Sequence, residues 1–268
     1  MKIAAFQFAS SSDIDNNFEA IKRAIKQASE NNVRLLVFHE CAICGYPPIE
    51  TPDVNQINFD LLHQYEESIL QLAKQYDMYI ALGTIRKVGY QKYNSTLLID
   101  PIGQIIGIYD KRALWGWDLD NFSKGNSLGI YEIDGVKIGF RICFEVRFPE
   151  YFRELFKEGA DLCIISFYDT SEQDGGERYD MIKAHLVTRA VENVMPFISV
   201  NSISRFQTAP TAVFNQNGKV IKEAPRNEEY LLVYEYTPEE IDFSAEGRIE
   251  NSYEVISSME EKGLKGEL

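Results

Sequence analysis

The sequence predicts an α/β fold in which one or two mixed β-sheets carry helices on their outer faces. Three observations predict it. Near-continuous apolar runs such as Val33-Arg34-Leu35-Leu36-Val37-Phe38 read as strands covered on both sides. Stretches of helical period separate the early strands. Hairpin signals at Pro101-Ile102-Gly103, Asp134-Gly135 and Asn217-Gly218 then interrupt the βα alternation. A purely parallel sheet would lack those hairpins, and an all-β fold would lack the helices.

Taken in order, residues 2–8 are a first strand, and residues 16–30 a helix with Phe18, Ile21, Ile25 and Ala28 on one face. Residues 33–38 are the second strand. Leu62, Tyr65, Ile69, Leu72 and Ala73 mark residues 59–76 as the next helix, followed by a buried-type strand at 78–83. Strands at 95–100 and 104–109 form the first hairpin, and those at 128–133 and 136–142 the second. A short helix at 149–157 and an apolar strand at 161–166 come next, then a long helix at 178–193 and a strand at 197–201. Strands at 211–215, 219–222 and 231–234 close the pattern. No linker or repeat divides residues 1–240, so 1–268 reads as one domain. Residues from about 240 to 268 then form a C-terminal extension or dimer-contact arm, and the Lys/Glu-rich stretch 259–268 a loose tail or docking arm.

Composition excludes several function classes. Forty-one acidic residues against 27 basic ones give a formal net charge of −14, which repels nucleic acid, and no basic stripe compensates. No apolar run approaches the ~20 residues of a membrane helix, and no signal-peptide pattern opens the chain. Four cysteines in 268 residues are too few for a disulfide scaffold, and a cytoplasmic location is expected.

Three chemically distinct residues leave strand ends. Glu40 lies two residues beyond Phe38, Lys111 two beyond Tyr109, and Cys143 directly follows Ile142. Ligand sites in open α/β sheets collect at the carboxyl ends of strands. A thiol attacks an acyl carbon only as thiolate, so it needs a base, and a carboxylate can serve. A fixed ammonium then stabilises the oxyanion, assisted by the backbone N–H after the nucleophile, that of Phe144. The resulting thioester would be hydrolysed by water that the same carboxylate activates.

The words around these residues resemble the nitrilase superfamily of carbon–nitrogen hydrolases. Gly139-Phe140-Arg141-Ile142-Cys143-Phe144-Glu145-Val146-Arg147-Phe148-Pro149-Glu150 is similar to its G-x-x-I-C-[YF]-[DE]-x-R-F-P-E. Tyr109-Asp110-Lys111-Arg112-x-Leu114 resembles its Y-x-K-x-x-L. Phe38-His39-Glu40 with Gly45-Tyr46-Pro47 resembles its P-E followed by G-Y, and Arg189-Ala190-Val191-Glu192-Asn193 its R-A-x-E-N. The resemblance covers residues 2 to about 235. It implies an α-β-β-α four-layer sandwich of two mixed sheets, with Cys143 as nucleophile, Glu40 as base and Lys111 as oxyanion stabiliser. It also implies hydrolysis of a small amide without metal or organic cofactor, and a homodimer. An ω-amidase or aliphatic amidase is the first reading, ahead of N-carbamoyl amide hydrolysis and then a nitrilase. Acyl transfer is a neighbouring reaction, and a weakly catalytic binding or scaffold subunit is the alternative of another class.

Two departures stand out. His39 replaces the family's usual proline. The family's second glutamate, between lysine and cysteine, has no glutamate counterpart in Trp117-Asp118-Leu119-Asp120-Asn121-Phe122. Asp120 is the first choice for that supporting carboxylate and Asp118 the other. Trp115 and Trp117 either wall an aromatic pocket or pack in the core. Glu145 and Arg147 either orient the site, contact a substrate carboxylate, or form an ion pair stiffening the turn. Tyr46, Phe167 and Tyr168 are expected to line the pocket. Cys41-x-x-Cys44 lacks the second pair a metal or redox site needs, and His39, His63 and His185 are scattered.

Overall fold

Two six-stranded mixed sheets stack face to face, with helices on both outer surfaces. The computed structural model describes residues 1–261, so most of the tail expected at 259–268 lies outside the described residues. In chain order the strands of the first half are β1 (Lys2–Gln7), β2 (Leu35–Phe38), β3 (Tyr79–Val88), β4 (Gln91–Ile99) and β5 (Ile105–Asp110). They are followed by β6 (Ile130–Ile133), β7 (Val136–Ile142), β8 (Leu162–Phe167) and the two-residue β9 (Thr170–Ser171). The last are β10 (Phe197–Asn201), β11 (Phe206–Gln207), β12 (Ala212–Phe214), β13 (Val220–Glu223) and β14 (Tyr230–Glu235). The helices are α1 (Ile14–Glu30), α2 (Phe59–Gln75), α3 (Asp118–Asn121), α4 (Pro149–Lys157), α5 (Gly176–Asn193) and α6 (Phe243–Glu261).

The first sheet runs β14-β1-β2-β3-β4-β5 and the second β13-β12-β10-β8-β7-β6, while β9 and β11 make a separate short ribbon. In each sheet the central strands pair in parallel and the flanking ones antiparallel. The α-β-β-α sandwich is therefore the observed architecture.

Strand alternation builds the layers. Ile3, Ala5, Leu35 and Val37 point between the sheets, where they meet Ile138, Phe140, Ile142 and Ile164. Their neighbours Ala4, Phe6, Leu36 and Phe38 point outward under α1 and α2. Likewise Cys163, Ile165 and Phe197 face α4 and α5. Period-two exchange of apolar residues between two buried faces explains why these strands lack polar alternation.

The helices dock by their apolar stripes. In α1 the buried set Ile14, Ala20, Ile21, Ala24, Ile25 and Ala28 repeats at helical spacing, and the Asp13 side chain caps the N-terminus through Asn16 N–H at 3.1 Å. At Gly139 a Cβ would sit 2.6 Å from the Leu155 methyls, so glycine lets α4 lie close on β7. Among the described residues no helix is long and apolar enough to cross a membrane.

Candidate active site

Glu40, Lys111 and Cys143 meet at the carboxyl ends of their strands. Glu40 is buried in the turn after β2, where its Oε1 accepts from Lys111 Nζ at 2.8 Å and Asn94 Nδ2 at 2.7 Å. Its Oε2 accepts from the backbone N–H of Tyr168 at 2.7 Å. Three donors therefore fix the carboxylate from three different strands or strand ends. Gly83 of β3 makes room for this turn: a Cβ there would lie 1.9 Å from the His39 carbonyl oxygen.

Lys111 follows β5 and is 1% exposed. Its ammonium is shared between Glu40 and Asp118, each at 2.8 Å, and lies 5.7 Å from the Tyr46 ring centroid. Burial works against the charged amine, but the charge of Glu40, supported by Tyr46, Cys143 and Asp118, outweighs it and holds the Lys111 pKa well above its ordinary value. Tyr46 donates its hydroxyl to the second oxygen atom of Asp118 at 2.6 Å.

Cys143 opens a 3₁₀ turn, Cys143–Arg147, and takes the left-handed conformation with φ of 45°. A non-glycine residue in that region is uncommon and costs backbone energy. Glu145 holds the turn. Its Oε2 accepts from Ile142 N–H at 2.7 Å, and its Oε1 from Arg112 N–H at 2.7 Å and the Tyr109 hydroxyl at 2.8 Å. The turn is braced from α5 as well, where Arg189 Nε donates to the Val146 carbonyl at 3.2 Å. This accounts for two of the motif words: the acid after Cys143 and the arginine of Arg189-Ala190-Val191-Glu192-Asn193 support the same turn.

Burial pushes the Cys143 thiol well up, reinforced by the charge of Glu40 and opposed by Lys111. With a thiol present, Glu40, Lys111 and Asp118 sum to one net negative charge. Ionising Cys143 alone would add another in a poorly hydrated place. Passing its proton to Glu40 instead leaves the local charge unchanged, which is the chemistry this arrangement favours.

Lys111 and Cys143 line a cavity of about 230 Å³ together with Tyr46, Ile49, Trp115, Phe144, Val146, Arg147, Tyr168, Asp169, Thr170, Arg178 and Ile182. Tyr46 and Tyr168 stack at 5.1 Å on one side. The volume is below the ~300–1,000 Å³ usual for drug-sized ligands, so the site suits a small molecule.

Several sequence assignments need correction. Asp120 is exposed and does not touch Lys111; the carboxylate there belongs to Asp118. Both sit on the single turn of α3, where residues two apart face different directions, and Asp118 is the inward one. Glu145 is not in the pocket, and its partners are backbone N–H groups and Tyr109 rather than an ion-pairing arginine. Phe167 lies in the core against the α4 and α5 layer, because strand alternation turns it away from the cavity. Trp117 packs edge-on to Phe122 at 5.7 Å, while Trp115 lines the cavity and is largely exposed. Tyr46, Arg147 and Tyr168 line it, as does Phe144, whose backbone N–H was the sequence expectation.

Asn94, Asp169 and Arg178 escaped the sequence reading. Asp169 and Thr170 follow β8, so the strand-end signal extended two residues further than Phe167-Tyr168 suggested. Arg178 binds the buried Asp169 through Nε at 2.8 Å and Nη2 at 3.1 Å. Asn94, mid-strand in β4, carried no signal. His39 is fully buried beside Phe8, with ring centroids 4.7 Å apart, and its Nδ1 lies 3.0 Å from the Glu40 carbonyl oxygen. Burial lowers its pKa to about 4, so the ring is neutral.

Comparison with known proteins agrees with this picture. The carbon-nitrogen hydrolase family model matches residues 2–245. Deaminated glutathione amidase of Dictyostelium discoideum is 27% identical over 249 residues, covering 84% of each chain. The (R)-stereoselective amidase of a Pseudomonas species is 27% identical over 236 residues, covering 85% of this chain and 82% of its own. Among solved structures, a cysteine-to-alanine mutant of the amidase from Nesterenkonia sp. AN1 in complex with butyramide superposes with a TM-score of 0.81. It has 20% identity and covers 96% of both chains, a likeness of fold. With its family model spanning nearly the whole sequence, the chain belongs to the carbon–nitrogen hydrolase family of the nitrilase superfamily.

Proposed function

We propose that the protein hydrolyses a small-molecule amide through a Cys143 thioester. The observation that carries this reading is the shared buried ammonium. Lys111 is fixed between Glu40 and Asp118 at 2.8 Å from each, in the wall of the cavity onto which Cys143 opens.

In the proposed reaction Glu40 takes the thiol proton as Sγ adds to the amide carbonyl carbon. The oxyanion is stabilised by Lys111 and the backbone N–H of Phe144. Glu40 returns the proton to the departing nitrogen, the C–N bond breaks, and ammonia or an amine leaves. Glu40 then removes a proton from water, hydroxide adds to the thioester, and the acid leaves as Cys143 recovers its proton. Asp118 acts through Lys111 as a positioning residue. An ω-amidase or aliphatic amidase is the preferred form, and the small cavity supports it. N-carbamoyl amides and nitriles stand behind these, as does interception of the thioester by an amine.

The test is ammonia release from short amides, half-amides of dicarboxylates, carbamoyl amines and nitriles, using native protein and Cys143→Ala in parallel. Release confined to native protein is expected, with an amide as best substrate. No release from any compound, together with a Cys143 thiol no more reactive than Cys41 or Cys163, would overturn the reading.

A further inference from the structure

Asn94 touches two of the three strand-end residues at once. Its backbone carbonyl accepts from the Lys111 N–H at 2.8 Å, and its side-chain Nδ2 donates to Glu40 Oε1 at 2.7 Å. The residue is 1% exposed, on β4 beside β5. Two acceptors cannot face each other, so the amide nitrogen is the atom that meets the carboxylate. The amide oxygen is left over: Asn94 Oδ1 is buried and has no hydrogen-bond partner among the described residues. An unpaired buried acceptor lowers stability, so packing alone does not account for an amide at this place.

The donors around Glu40 are unevenly shared. A carboxylate offers roughly four acceptor positions, about two on each oxygen. Oε1 takes both Lys111 Nζ and Asn94 Nδ2, whereas Oε2 takes the Tyr168 N–H. Oε1 is therefore filled, and a proton arriving there has to displace a donor. A proton on Oε2 displaces none and leaves the contact between Lys111 and Glu40 intact. Cys143 is within hydrogen-bonding reach of the same carboxylate. The other ionisable groups nearby do not compete for the proton. Lys111 is held cationic, Tyr46 and Cys41 are held neutral chiefly by burial, His39 is neutral, and Asp118 is bound by Lys111 and Tyr46.

We propose that Asn94 is a positioning residue that fills Oε1 beside Lys111 and so reserves Oε2 of Glu40 as the proton-accepting atom. This rests on the amide-hydrolysis reading and deepens it. In each transfer an S–H or water O–H bond breaks and an O–H bond forms at Oε2. The electron pair stays on sulfur or on the water oxygen, which adds to the acyl carbon. Oε2 gives the proton up again to the departing nitrogen or to Cys143. Without the amide donor Oε1 gains an open position, and the carboxylate loses a hydrogen bond that favours its ionised form.

The experiment compares native protein with Asn94→Leu, which keeps the shape of the side chain without a donor, and Asn94→Thr, which keeps a shorter donor. Neither change removes the backbone carbonyl that holds Lys111. Chemical denaturation first establishes that each variant is folded. Two quantities are then followed across pH: kcat and KM for ammonia release from short amides, and the rate of Cys143 alkylation by iodoacetamide, with Cys143→Ala as blank. Asn94→Leu should lower kcat about tenfold to a hundredfold at neutral pH with KM unchanged, the scale of one hydrogen bond to a charged group. The acidic limb of both profiles should move to higher pH by roughly one unit, because a carboxylate with one donor fewer protonates more readily. Asn94→Thr should fall between native protein and Asn94→Leu. If Asn94→Leu does not fold, the limb in Asn94→Thr decides: a shift supports the assignment and none overturns it. Native kcat in Asn94→Leu, a loss carried by KM, or a fall in kcat with both limbs unmoved would each overturn it too. Alkylation that slows and shifts in Asn94→Leu, in a protein that hydrolyses no amide, would keep the role of Asn94 and reject the amidase reading. Amide hydrolysis with the same alkylation profile in native protein and Asn94→Leu would do the reverse.

Discussion

Asp118 lies 2.8 Å from Lys111, and neither side chain is more than 1% exposed. The pair is joined on its other side by Glu40, so a single ammonium neutralises parts of two buried carboxylates. Such an arrangement persists only because each charge has a partner, and removing one member leaves the others poorly compensated.

Asp118→Asn should therefore cost about 3 kcal/mol of stability, the scale for breaking a buried ion pair, and lower amide turnover at least about tenfold. Asp120→Asn, on the exposed side of the same turn, should change stability by no more than about 0.5 kcal/mol. Chemical denaturation and ammonia release on both variants decide the matter. Equal effects would mean that the carboxylates share the role.

Glu145→Gln offers a different check. Both Glu145 oxygens accept hydrogen bonds, from Ile142, Arg112 and Tyr109, and an amide nitrogen cannot replace either. One buried donor would lose its acceptor, costing about 1–3 kcal/mol. The turn carrying Cys143 should loosen too, and the rate of Cys143 alkylation should change in the variant. An unaltered alkylation rate would separate Glu145 from the placement of Cys143.

His39 gives a pH dependence of definite sign. Its folded pKa of about 4 lies below the ordinary 6.5, so the unfolded chain binds a proton first as pH falls. The contribution is full above pH 6.5 and is lost progressively down to about pH 4, reaching roughly 3 kcal/mol at 1.36 kcal/mol per unit. The stability difference between native protein and His39→Asn should shrink across that window. A difference constant from pH 7 to about pH 4 would contradict a neutral buried ring.

At Gly83, an alanine methyl would have to displace the His39 carbonyl or the strand itself. Gly83→Ala should cost about 3 kcal/mol, the upper range for overpacking, and reduce kcat by moving Glu40. Native-like melting together with native kcat would show that the Glu40 turn yields freely.

Much of the fold was legible because apolar runs and turn signals coincided. The strand at 136–142 and the one at 197–201 were read to the residue, the first being preceded by Asp134-Gly135 and the second flanked by a long helix. The β3–β4 hairpin went unread, with strands expected only at 78–83 and 95–100, because Arg86, Lys87, Gln91 and Lys92 extend them with polar residues beyond the sheet core. Strand ends brought Glu40, Lys111 and Cys143 within consideration, yet only family words separated them from other strand-end residues. The choice between Asp118 and Asp120 depended on the direction of one helical turn, which no local spacing supplies. Phe167 and Tyr168 differ likewise only by which side of the sheet the backbone presents.

The pairing of β1 with β14 has a consequence for biosynthesis. β1 is an interior strand, with β2 on one edge and β14 on the other, in a register that sets Lys2 opposite Glu235. A ribosome makes this strand long before its second neighbour. Until residues 230–235 emerge, the nascent chain carries an apolar strand with one unpaired edge, an open template for association with other chains. Completion of the first sheet thus waits for β14, and chaperone demand in the cell should rise with anything that slows synthesis between β1 and β14.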